Sequence, residues 1–213
     1  LDSNASYADG TGAGVVTWSV KDSSGDYCNT ASIRSKIDGT PSNDNAPGSL
    51  EFMTTTSGST STTKMTISSQ GYVTKPNHPS FSVYISNTHN AASQNTGTQI
   101  MPFDSANSNI GSHFKTSGSD QYKFVAPVAG NYYFSLSQNH SSRVDSRILK
   151  NGSSFHGGES EEIQSAWDHH HMSCVMPLAA GDKVHCTTNN QDGGSKRCWN
   201  GGYWDNFSGF LIG

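Results

Sequence analysis

Short runs of this chain alternate apolar and polar residues, and turn-forming residues separate the runs. Early on, Val16, Trp18 and Val20 alternate with Thr17 and Ser19, Leu50 and Phe52 flank Glu51, and Met65 and Ile67 flank Thr66. Later, Phe81, Val83 and Ile85 alternate, as do Tyr122 and Phe124, and then Tyr132, Phe134 and Leu136. A period of two marks strands with one apolar face, so the pattern predicts an all-β chain. Pro127 cannot donate to a ladder and Gly130 reaches dihedrals other residues avoid, which places a turn between the last two runs. Further strands are expected near 98–102, 111–115, 121–126, 131–138, 143–150, 153–157, 168–176, 182–189 and 206–212.

Residues 1–74 differ from the rest. Their apolar positions are sparse and lie between Ser/Thr/Gly tracts such as 54–63 and turn clusters such as Asp38-Gly39-Thr40-Pro41. Burying so little surface within one chain does not offset the entropy of ordering, so this segment either stays disordered or shares a core among several chains. Lys75-Pro76-Asn77-His78-Pro79 reads as a hinge, because its two prolines forbid regular pairing across it. Two regions follow, 1–74 and 75–213.

Phe103, Asn109, Phe114, Phe124, Gly130, Tyr132 and Phe134 together resemble the C1q-domain signature. The Phe114 to Phe124 gap is longer than usual, and Leu136 replaces the final aromatic. Leu178-Ala179-Ala180-Gly181-Asp182-Lys183-Val184 is similar to a turn of that family, and Phe207 to Ile212 to its closing strand. The resemblance covers about residues 79–213 and implies a C1q-like ten-stranded jelly roll that trimerises about a threefold axis. Three stretches before it, 32–39, 47–55 and 64–73, in that order, resemble the intertwined trimeric shafts of bacteriophage tail fibres. On these resemblances 1–74 is a β-rich trimeric fibre shaft and 75–213 a jelly-roll head. If chain entry and last strand share the base, strand alternation makes 139–143, 158–167 and 190–205 distal and turns Asn151-Gly152 and Ala180-Gly181 towards the shaft.

Composition narrows the function classes. Hydrophobic content is 32% and charged content 14%, both low, while Gly, Ser, Thr and Asn abound, which suits short strands and polar turns. The net charge of -4 divides into -3 over 1–74 (4 basic, 7 acidic) and -1 over 75–213 (9 basic, 10 acidic), so no basic patch for nucleic acid is expected. No apolar run approaches a membrane span, and membrane insertion is not expected. Four cysteines, Cys28, Cys174, Cys186 and Cys198, are too few for a disulfide scaffold and match no zinc knuckle. Free, mostly buried thiols are expected, with a Cys186 to Cys198 bridge as the alternative.

The distal 190–205 loop holds the aromatic candidates. Trp199, Tyr203 and Trp204 stand among glycines with Arg197 and Asp205 nearby, and Trp167 lies before a predicted strand. Flat rings beside polar side chains suit a pyranose, whose C–H face stacks on the ring while its hydroxyls bond the neighbours. The competing reading has one or two of these rings plugging the top of the jelly roll or packing on a neighbouring subunit. In Asp168-His169-His170-His171 a strand would turn His169 and His171 to one face and His170 to the other. Two imidazoles fall short of a closed metal site, but one from each chain about a threefold axis would make three nitrogens for a divalent ion. The alternative is solvated or interface histidines. Asp145, Glu159, Glu161, Glu162 and Asp168 offer no acid pair at a defined separation for glycoside cleavage. No nucleophile elbow or phosphate loop occurs either. Together these expectations describe a non-catalytic, trimeric receptor-binding tip of a phage tail fibre, displayed on the virion towards a host surface glycan. A tailspike-type polysaccharide depolymerase or a purely structural trimerisation cap are the alternatives.

Overall fold

A computed structural model describes residues 8–57, 60–86, 97–160, 167–192, 199 and 204–213. Its contacts divide the chain into two units, Leu1–Asn77 and His78–Gly213, the boundary falling inside the proline-flanked hinge.

The first unit is one antiparallel meander: β1 (Gly12–Lys21), β2 (Tyr27–Ile37), β3 (Gly48–Thr54), β4 (Thr62–Ile67) and β5 (Val73–Thr74), paired in sequence order. Cross-strand partners share a face, which makes the sheet amphipathic. On one face Val16, Ile33, Phe52 and Met65 form a row, with Leu50, Ile67 and Val73 in another, and Trp18 opposite Ala31. On the other face Arg34 and Lys36 cover the buried Glu51, which the Arg34 guanidinium binds through Nε at 2.8 Å. The apolar face has no second layer among the described residues of this unit, and Trp18 stays 50% exposed.

Among its described residues the second unit holds eleven strands: β6 (Ser80–Tyr84), β7 (Gly97–Ile100), β8 (Ser105–Ile110), β9 (Phe114–Lys115), β10 (Lys123–Val125), β11 (Gly130–His140), β12 (Val144–Lys150), β13 (Ser153–Glu159), β14 (Asp168–Leu178), β15 (Lys183–Asn190) and β16 (Asn206–Leu211). They form two antiparallel sheets, β14-β11-β16-β6-β8 and β13-β12-β15-β10-β9, with β7 also on β15. Together they make a jelly-roll sandwich. Inward alternation from both sheets builds an aromatic core of Phe81, Phe114, Phe124, Tyr132, Phe134 and Phe207, with Phe81 centred 5.0 Å from Phe114 and 5.1 Å from Phe207. Gly209 lets β16 pass this cluster, since a Cβ there would lie 2.6 Å from the Phe134 ring.

Two expected strands are corrected. The 111–115 strand is instead β8 followed by the short β9, because Gly111 and Ser112 take positive φ and turn the chain between them. Asn109 closes that turn: its Nδ2 donates to Phe114 O at 2.9 Å and its Oδ1 accepts from Phe114 N at 3.1 Å. Tyr122 does not continue the alternation of β10, for its φ of 64° breaks the strand just before Lys123.

The ends of the second unit are chemically distinct. Where the chain enters, Pro79 O accepts from Leu211 N, and turns 151–152 and 179–182 are joined by Asn151 Nδ2 donating to Asp182 Oδ1 at 2.8 Å. At the opposite pole Arg143 N donates to Asp192 Oδ2, Ser160 N to Val144 O, and Ile85 N to Asp205 O. The ends of the 139–143, 158–167 and 190–205 connections therefore gather at the pole away from chain entry, as strand alternation predicted.

Candidate functional site at the pole opposite chain entry

Three strand ends build this pole. β11 runs past its apolar alternation into Gln138, Asn139 and His140, β14 begins at Asp168, and β16 follows Trp204 and Asp205. The fully buried Asp205 carboxylate accepts from Asn139 N at 2.9 Å, tying the start of β16 to the end of β11. The Asn139 amide donates through Nδ2 to Asp168 O at 3.3 Å and to His169 Nε2 at 3.2 Å, so that imidazole nitrogen accepts. Below, Ser146 Oγ donates to Gln138 Oε1 at 2.5 Å and Gln138 Nε2 to Thr188 Oγ1 at 2.9 Å, a buried polar clasp across the two sheets.

On this frame an aromatic and imidazole surface forms. Trp204 is 58% exposed, with its ring 6.2 Å from His169 at 44°, and His169 stacks on His171 at 6.0 Å and 16°. As expected, His169 and His171 share the exposed face of β14 while His170 turns inward. An indole face beside two imidazoles can cover a sugar's C–H face and bond its hydroxyls.

Two candidates are corrected. Trp199 was expected among the open rings; it is 5% exposed and packed in the apolar core, so it plugs the jelly roll. Asp205 was expected to meet ligand, but its carboxylate is buried and spent on backbone, so it positions Trp204 rather than contacting anything outside. Trp167 is half-buried, whereas Arg197, Tyr203, Cys198, Glu161 and Glu162 lie outside the described residues. The metal expectation takes one imidazole from each of three chains about an axis; within one chain the His169 and His171 rings lie 16° from parallel, and His169 Nε2 accepts from Asn139. Among the described residues no group of three or more His, Cys, Asp or Glu side chains converges. Asp145 faces Glu159 across β12 and β13 but is held by Arg147, with Arg147 Nε 3.1 Å from Asp145 Oδ1. Cys28, Cys174 and Cys186 are free thiols, and burial pushes the Cys186 thiol well up.

Residues 80–212 match the C1q domain family. The second unit is a C1q domain, and the chain belongs to that family. It is similar in fold to the globular domain of zebrafish complement 1qA protein, at 24% identity and a TM-score of 0.51, covering 64% of this chain and 98% of that one. Murine APRIL, in its crystal structure at pH 8.0, aligns at 9% identity with a TM-score of 0.47, covering 63% of this chain and 99% of that one. C1q domains are generally non-enzymatic binding domains and typically trimeric.

The C1q domain also buries a histidine that the sequence pattern did not single out, His140, beside the inward His170. His140 is fully buried; its Nδ1–H donates to Ser142 O at 2.7 Å, which leaves Nε2 bare. His170 Nε2 is likewise buried without a partner, and the rings stand edge-on, centred 6.4 Å apart. Burial lowers the pKa of both, so both are neutral at pH 7. Nothing in the sequence around His140 marks its meeting with His170, because the pairing joins inward positions on neighbouring strands.

Proposed function

We propose that this chain is a non-catalytic receptor-binding tip of a bacteriophage tail fibre, displayed on the virion, whose homotrimeric C1q head attaches to a host cell-surface polysaccharide. The observation that carries the binding role is the exposed Trp204 ring beside His169 and His171, at the pole away from chain entry. Homotrimerisation is supported by the amphipathic sheet of the first unit, whose open apolar face suits burial against identical sheets of other copies. The fibre context is supported by the resemblance of 32–39, 47–55 and 64–73 to tail-fibre shafts. Three shallow sites per tip, repeated over several fibres, reach useful avidity although each is weak.

Attachment of the Trp204→Ala variant to host cells tests the reading. Loss of attachment with an unchanged trimeric mass supports a binding tip. Undiminished attachment sinks it, and loss of polymer viscosity on incubation would favour a depolymerase. Light scattering with and without a chelator tests the threefold axis and any axial ion together. A trimer is expected; dependence of that trimer on the absence of chelator would assign an axial ion to the His169 or His171 imidazoles, and a monomer would remove the avidity argument.

A further inference from the structure

The outer face of the sheet containing β15 carries a recess of about 420 Å³, lined by Lys123, Asn151, Gly152, Lys183 and His185. Val184 and Cys186 point into the core, so Lys183 and His185 alternate to the outside, and Lys123 comes from the adjacent β10. Asn151 is fixed there, accepting from Lys183 N at 2.8 Å and donating to Asp182. His185 is 7% exposed, and its Nδ1 is buried with no hydrogen-bond partner. Orphaned buried polar atoms are rare and costly, and the ring that carries this one helps to line a recess whose charged lining is cationic.

From this arrangement we infer that the recess binds a small oxyanion, a carboxylate or sulfate group, between the Lys123 and Lys183 ammoniums and the His185 imidazole. The neighbouring charges permit it. Asp120 pairs with Lys183 at 2.8 Å and Lys123 at 3.8 Å, and Asp182 with Lys150 at 3.0 Å, but neither carboxylate lines the recess. Three ammoniums against two carboxylates leave an excess positive charge, and protonated His185 adds another. Burial first, and Lys123 second, lower the His185 pKa, so the ring is neutral when the recess is empty. A bound anion reverses that balance, so binding takes up a proton and tightens as pH falls. The site lies near chain entry, away from Trp204, and does not depend on the glycan reading.

Titration of the full chain with sodium sulfate and, separately, sodium acetate at constant ionic strength, following the His185 imidazole by NMR, tests this. Saturable shifts with either anion are expected, tighter at pH 6 than at pH 8. Lys123→Gln combined with Lys183→Gln should weaken binding at least about tenfold, since each removes a charge-assisted hydrogen bond. His185→Gln should keep the saturation and lose its pH dependence, read from the flanking amides. Trp204→Ala should leave the titration unchanged, which separates this site from cell attachment. Non-saturating shifts with both anions, or equal shifts in the double lysine variant, overturn the proposal.

Discussion

The Asp205 carboxylate accepts the Asn139 amide at 2.9 Å from a fully buried position, and this bond fixes where the exposed Trp204 ring stands. Replacing Asp205 with Ala leaves the Asn139 N–H without this acceptor. A cost of about 1–3 kcal/mol is expected, the usual penalty for a buried polar group losing its partner. Thermal unfolding checks this, and an unchanged Tm would show that the bond does not hold the pole together.

The two described tryptophans near this strand should separate folding from function. Trp199→Ala removes a buried ring and should destabilise the head by about 3–5 kcal/mol, visible in denaturant unfolding. Trp204→Ala removes an exposed ring, and the denaturation midpoint should stay within about 0.5 kcal/mol of the parent.

Gly209→Ala is expected to overpack the aromatic core. The new Cβ would lie 2.6 Å from one Phe134 ring carbon and 2.9 Å from the Phe81 ring, and overpacking of this kind costs about 1–3 kcal/mol. Gly14→Ala, with no atom near the added Cβ, is the control, and the difference in Tm is the measurement.

Acid should weaken the head in two steps. Burial lowers the pKa of His140, His170 and His185, so the unfolded chain takes up protons first and stability falls as pH drops below about 6.5. Asp182 titrates at about 2 instead of 3.8, held down first by Asn151, then by Ala179 N–H and Lys150. Its contribution is present above pH 3.8 and is lost as pH falls towards 2. Chemical denaturation across pH should show both windows; His140→Gln should flatten the upper one and Asp182→Asn the lower.

Much of the fold was legible because alternation is local. Tyr132, Phe134, Leu136 and Phe207 face the core as their period required, and Asp182 closes the 178–184 turn locally by accepting from Ala179 N. Where alternation misled, backbone dihedrals intervened: Tyr122 sits at positive φ, which its neighbours in sequence do not announce. The candidate site was legible in part. Strand parity put His169 and His171 outward, but the 190–205 loop has no period, so Trp199 and Trp204 looked alike although one is core and the other surface.

The sequence by itself determined the β-rich class, the amphipathic faces of the strands, the break near residues 75–79 and the polar character of the connections, since each follows from residue types a few positions apart. Only the tertiary structure decided which distant strand ends meet. The bonds of Asp205 to Asn139, the facing of His140 and His170, and the recess of Lys123, Lys183 and His185 all join positions on different strands. Their free energy comes from burial and pairing that exist only after the sheets have closed, and no local pattern encodes that closure.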